Sequence, residues 1–346
     1  MTNKFVVEKN NNLAADATKY IVQVAVEDSI DMLKLLIKLE ADVTTENNDA
    51  IILIAGNEDS VERAQILINA GADINARNGE ILVFASMLGD LKLVKFAVEN
   101  GVDVNCQDGE ALVRAIQKNN VNIIKYLLKN GADPKLQNYK AIKETTTYRV
   151  VRILLNAGVE PQKIAEILYN ADTRYTSEYY DIAKMLIEKG IDYSFNDNEF
   201  FKFAVSNGYV DIIKEVLDSG TCVMSCSGKY INNAIKEGNF EVVELLFNYG
   251  YDFNANNSEE LITACEYGHE SIVEFLVTKG VDARADGSKA LIKAITGKHK
   301  EIVSILIEYC DFPKNIIELI IDSLKSQTTE DIINFIKEHN ILLRNL

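Results

Sequence analysis

Apolar and polar residues along this chain follow a helical period nested inside a much longer one. The segments LKLVKFAVENG, VNIIKYLLKNG, VDIIKEVLDSG, FEVVELLFNYG and ESIVEFLVTKG carry apolar side chains at i, i+3, i+4 and i+7, the stripe of an amphipathic helix. Each stops at a glycine, which takes the left-handed conformation that closes a helix without a Cβ penalty. Aligned on that stop, the chain repeats a glycine-apolar-acidic signal at Gly71, Gly101, Gly131, Gly158, Gly190, Gly250 and Gly280, mostly in multiples of 30 residues. Glu40, Gly220, Cys310 and Asn340 fill the remaining registers. A fixed period of this size means one supersecondary unit that buries its apolar face only against its neighbours.

A second, shorter segment precedes each amphipathic helix and is built around a small residue, as in VFASMLGD, VRAIQKNN, KFAVSNGY, ITACEYGH and IKAITGKH. Ala25, Ala55, Ala85, Ala115, Ala204, Ala234, Ala264 and Ala294 share this place. Alanine there lets helix backbones approach closely, as stacked helical hairpins require. Asn78-Gly79, Asp108-Gly109, Ser227-Gly228 and Asp286-Gly287 mark tight turns ahead of these inner helices. The expected fold is all-α, a solenoid of stacked helix-turn-helix units with short connecting turns.

The pattern GADIN-AR-NG, an inner helix with A-x-x-x-G and an outer helix ending in L-L-x-x-G-A-D resembles the ankyrin repeat over residues 18 to 340. Two features depart from the family. Glu80-Ile81-Leu82-Val83, Glu110-Ala111-Leu112-Val113 and Glu199-Phe200-Phe201-Lys202 stand where the family carries Thr-Pro-Leu-His, and the period is 30 rather than 33. The resemblance therefore implies β-hairpin fingers shorter than those of a typical member. Arrays of this style are similar to those encoded by giant DNA viruses of amoebae and by some protists.

The organisation expected is an N-terminal lead or cap over 1–17, as a strand or a loose tail, a repeat array over 18–312 and a C-terminal capping repeat over 313–346. The array is irregular over 136–180, where the anchor spacing shortens and then lengthens. Either tolerated drift or a hinge fits that break. Leu136 to Thr147 leave room for only a short inner helix, and Pro161 opens a helix followed by a Tyr-rich turn.

Charge and chemistry narrow the function. The net charge of -16, from 52 acidic and 36 basic side chains, repels phosphate backbones and anionic headgroups, so neither nucleic acid nor membrane is expected as a partner. No secretory signal or membrane span is legible, and five unevenly spaced cysteines suit a reducing compartment, so the cytoplasm, or the cytoplasm and nucleus, is the expected location. A monomer is expected. His269 and His299 sit at the turn between helices, where hydrogen bonding of the turn is the expected role. Cys222 and Cys226 lack a second ligand pair, so no metal or cofactor is expected. Glu259-Glu260 and the pair Glu178 and Asp181 are expected in turns or on exposed helix faces. No phosphate loop, nucleophile elbow or metalloprotease helix appears, and catalysis is not expected.

What the resemblance implies instead is a module that binds a partner protein on its concave face. The residues after each inner-helix alanine line that face in the family: Glu27, Asp28, Asn57, Glu58, Met87, Leu88, Gln117, Lys118, Ser206, Asn207, Lys236, Glu237, Glu266, Tyr267 and Thr296. Met87, Leu88 and Tyr267 are the types found at interface centres, although neighbouring turns could cover the first two. Leu67 with Asp73-Ile74-Asn75 resembles the local pattern at which ankyrin asparagines are hydroxylated, which marks Asn75. A substrate adaptor for a ubiquitin ligase is an alternative that needs an F-box or BTB segment, for which neither terminus has room. An enzyme built on the repeat scaffold is a further alternative.

Overall fold

The computed structural model describes residues 2–27, 29–145, 147–169, 177–193, 195–225, 228–310 and 312, the side chains of 2–12, 177, 195–197 and 225 excepted. Asp28, Cys226, Ser227, much of the Tyr-rich turn, and the C-terminal pair over 313–346 with its anchor Asn340 lie outside the described residues. The described chain divides into two compact units, Met1–Lys189 and Gly190–Leu346.

The first unit holds α1 (Thr2–Glu27) with α2 (Ile30–Lys38), α3 (Thr45–Leu53) with α4 (Ser60–Asn69), α5 (Ala76–Leu88) with α6 (Leu91–Glu99), α7 (Cys106–Gln117) with α8 (Val121–Lys129), α9 (Leu136–Lys143) with α10 (Tyr148–Asn156), and α11 (Pro161–Leu168) with α12 (Ser177–Glu188). The second holds α13 (Phe195–Ser206) with α14 (Val210–Asp218), α15 (Gly228–Lys236) with α16 (Phe240–Asn248), α17 (Glu259–Tyr267) with α18 (Glu270–Thr278), and α19 (Ala285–Thr296) with α20 (Lys300–Tyr309). Within each unit inner helices pack on inner helices and outer on outer, as in α5 on α7 or α18 on α20. The core lies between these two rows. All eight inner-helix alanines are buried there. Leu93 and Val94 of α6 are wholly buried, each stabilising the stack by about 1.5–3 kcal/mol.

The stops behave as the sequence predicts. After α6, Gly101 takes φ +89°, and Gly101 and Val102 donate back to Val98 and Ala97 at 3.1 Å, closing the helix end. Glu40 adopts φ +63° in the place a glycine fills elsewhere. Cys310, also without that freedom, is extended instead, at φ -123° and ψ 126°.

Two expectations are corrected. Residues 2–17 are neither a strand nor a loose tail: they run as the first part of α1, which ends only at Glu27. The fingers are not shortened β-hairpins either, since no strand occurs among the described residues. Ahead of α3, α5, α7, α9 and α19 the connection shrinks to a single left-handed turn that leads into the inner helix. Arg77, Asn78 and Gly79 take φ/ψ of 51/41, 55/53 and 71/29°, and the Gly79 N–H donates to Asn75 O at 3.1 Å. Gln107 to Gly109, Gln137 to Tyr139 and Asp286 to Ser288 repeat the geometry. A left-handed residue with a Cβ costs roughly 1–2 kcal/mol, and Asn, Asp and Gly carry it most easily. The third residue must also be small, because it meets the next hairpin. A Cβ on Gly79 would lie 2.7 Å from Val102 Cγ1 and 3.0 Å from Cys106 Sγ. Ser258 and Ser288, in the same place, are buried.

After its left-handed turn, α9 keeps only Lys140 to Lys143 as right-handed helix, and Pro161 opens α11 as its first residue, where the missing N–H costs nothing.

Candidate functional site

Apart from α3, which ends at Leu53 before Ala55, these inner helices end two or three residues after the alanine, so the side chains there emerge from the buried row at a helix end. In α5, Ala85 and Ser86 are buried, Met87 is half-buried and Leu88 is 53% exposed. Leu88 is not wholly free of its neighbours, because its Cδ1 lies 3.3 Å from where a Cβ on Gly56 would stand. Glu27, Glu58, Gln117, Lys118, Lys236, Glu237, Glu266, Tyr267 and Thr296 are exposed, and Asn57, Ser206 and Asn207 are half-buried.

Several of these residues already have work within the stack. Asn57 Nδ2 donates to Val26 O at 3.0 Å and Ser206 Oγ accepts from Asn233 Nδ2 at 2.9 Å. Asn207 Nδ2 and Thr296 Oγ1 donate to carbonyls of their own helices. Gln117 accepts from Arg114 at 3.0 Å. In the second unit successive hairpins bring strip residues together. Lys236 Nζ stands 5.7 Å from the centre of the Tyr267 ring, and Glu266 pairs with Lys293 at 2.7 Å. Tyr267 remains 49% exposed.

Behind the strip, the residue opening several of the outer helices reaches back one hairpin. Asp90 accepts from Leu93 N in its own helix at 2.9 Å and from Gly56 N at 3.3 Å. Asn120 Nδ2 donates to Ser86 O at 2.8 Å. His269 and His299 do the same through Nε2, to Lys236 O at 2.8 Å and Glu266 O at 3.2 Å, which fixes the proton on that nitrogen. Both histidines thus hold turns, as expected. The glycine closing the preceding inner helix makes room for them: a Cβ on Gly238 or Gly268 would lie 2.9 or 2.7 Å from the imidazole.

Sequence reasoning missed a charged network at the starts of the inner helices. Glu110 pairs with Lys140 of the next hairpin and with Arg114, both at 2.9 Å. Burial pushes the Glu110 carboxyl up, but hydrogen bonds from Lys140 and Gln137 and the charges of Lys140 and Arg114 outweigh it and hold it below the usual range. Arg77 similarly joins Asp49 and Glu80. The available signal was Glu80 and Glu110 in the place of the family's threonine.

One acidic residue lies far from where it was expected. Glu259 is exposed, but Glu260 is completely buried at the start of α17, where Tyr251 Oη donates to its Oε1 at 2.9 Å and its Oε2 has no partner. Burial raises this carboxyl above its ordinary value, only partly offset by hydrogen bonds from its own backbone and from Tyr251. Glu178 is half-buried and accepts from Tyr148 N at 2.7 Å, tying α12 to α10 rather than facing water.

Cys106 and Cys265 are buried small residues, and burial pushes the Cys106 thiol up to about 11. Cys222 is exposed, while its candidate companion Cys226 lies outside the described residues. Among the described residues no helix is long and apolar enough to cross a membrane.

Comparison with known proteins agrees with this architecture. The family model for ankyrin repeats in three copies matches residues 51–138 and 231–316, half of the chain. No curated protein matches significantly. Among solved structures, the ankyrin repeat domain of human ASB11 is 19% identical, over 67% of this chain and 85% of that one, with a TM-score of 0.25. The assignment rests on the family model and on the repeated hairpins rather than on that superposition. Folds of this kind typically act by binding proteins, not by catalysis. The chain belongs to the ankyrin-repeat family, and it is a protein–protein interaction module.

Proposed function

We propose that the module holds its partner on the concave face, through the strip of side chains that follows each inner-helix alanine, from Glu27 and Asp28 through Met87 and Leu88 to Tyr267 and Thr296. The observation that carries this reading is the exposure of Leu88 and Tyr267 at corresponding helix ends, where the alanine just before them is buried. A large apolar side chain half in water, ringed by polar neighbours, is the kind of anchor on which binding energy concentrates. Affinity purification from cells tests it: changing Met87 and Leu88 to Asp should remove most captured proteins, and an unchanged set would refute the strip. The partner is a protein met in the cytoplasm, in keeping with the uneven spacing of the five cysteines. Residues 1–17 and 313–346 serve as the end caps of the array.

Asn75 is a candidate hydroxylation site on the same face of the reading. Its side chain is exposed, whereas its counterpart Asn105 is engaged by Gly131 O and Asp133 N at 3.0 and 2.8 Å. A mass increase of one oxygen on the peptide containing Asn75 would support it.

A further inference from the structure

In α6, α8, α14 and α18, each preceded by another hairpin, the third residue of the outer helix is a core position, although in α4 it is the exposed Glu62. Leu93, Ile123, Ile212 and Ile272 hold that place in α6, α8, α14 and α18 and are at most 2% exposed. In α2 the same position is Met32, and it is 40% exposed. Leu35 and Leu39 extend the exposure along the same stripe, at 48% and 36%, while Leu33 and Leu36 face the core. On α1, Leu13 and Tyr20, seven residues apart on one stripe, are also about half exposed. The first hairpin therefore presents to water, at Met32, an apolar position that is buried in α6, α8, α14 and α18, and Leu35 and Leu39 lie exposed beside it. A stack end is normally polar, because nothing shields it.

The charges beside this stripe say what fits it. Asp31 and Lys38 are both exposed and stand one either side of Leu35, in the first and last turns of α2. A second α2 laid parallel would set Asp31 on Asp31 and Lys38 on Lys38. Laid antiparallel about Leu35, it sets Asp31 of each helix beside Lys38 of the other, and it opposes the two helix dipoles. The face is self-complementary in that one orientation.

We propose that two copies of this chain associate through the exposed face of α2, antiparallel about Leu35, so that the module is a weak two-fold dimer rather than the monomer the sequence suggests. Met32, Leu35 and Leu39 supply the apolar contact and the two Asp31–Lys38 pairs fix the direction. The contact is one short hairpin on each side, at the small end of specific interfaces, so dissociation in the range of about 1–100 μM is expected.

Sedimentation of the full chain over a concentration series tests this. Dimer should grow with concentration, and Leu35→Glu, a change at an exposed position, should abolish it while helicity by circular dichroism is retained. Asp31→Lys and Lys38→Asp should each weaken self-association about tenfold, through two symmetry-related pairs worth a few-fold each. Mixing these two variants should restore association, since each then offers the charge the other lacks. A chain that stays monomeric at about 100 μM, where even weak specific contacts register, overturns the proposal. So does a dimer indifferent to Leu35→Glu, a head-to-tail series of larger species, or a mixture that associates no better than its components.

Discussion

Replacing Gly79 by alanine separates two costs that the stack combines in one residue. The left-handed φ of +71° disfavours any Cβ, by roughly 1–2 kcal/mol, and alanine recovers about 0.4–1 kcal/mol by restricting the unfolded chain. The packing cost comes on top. The new methyl would stand 2.7 Å from Val102 Cγ1 and 3.1 Å from Cys106 Cβ, both on the following hairpin. Val102 is β-branched and almost fully buried, so it has little room to give, and forced overpacking of this kind costs about 1–3 kcal/mol. Gly101 in the same unit provides the control, with φ +89° and nothing within 4 Å of its added Cβ. Gly101→Ala should cost about 1 kcal/mol and Gly79→Ala about 2–4 kcal/mol, read as shifts of the urea midpoint at constant slope. Equal midpoints for the two variants would show that the turn does not press on its neighbour, and the close packing of hairpin on hairpin described above would be wrong.

Glu260→Gln should stabilise the chain at neutral pH. The folded carboxyl titrates above its unfolded value, so its contribution is present at acid pH and lost as pH rises through the folded value; thermal melts should show the variant's advantage growing from acid to neutral pH. Glu110→Gln should do the reverse. Its folded carboxyl titrates below the unfolded value, so the wild type's advantage of about 1–3 kcal/mol holds above the unfolded value and fades as pH falls through the folded one, in the same melts. His269→Ala should cost about 1 kcal/mol by loss of the hydrogen bond to Lys236 O, while His269→Asn should recover most of it, because Asn120 makes the same contact; urea unfolding of the pair decides this.

The hairpins were legible because their determinants are local. A glycine after an amphipathic stripe closes its helix whatever lies beyond, and an alanine at a helix crossing is required by backbone approach alone. The left-handed turns were only half legible. Asn78-Gly79 and Asp108-Gly109 announce a turn, but Gln137-Asn138-Tyr139 takes the same shape with no glycine at all, held by the bond from Tyr139 N to Lys135 O at 3.1 Å. Glu260 was not legible. Two adjacent glutamates at a helix start read as solvated charge, and only the stacking of α15 on α17 buries the second, under Gly228 and beside Tyr251. The strip could be located but not graded, since the exposure of Leu88 depends on its contact with Gly56, 32 residues earlier.

The backward reach of Asn120, His269 and His299 has a mechanical corollary. Every such tie spans one step of the array and none spans two, so tension applied along the chain meets a row of similar latches in series. Force should release them one after another, each yielding about thirty residues of slack, and the tethered partner would feel a compliant spring long before the anchor failed.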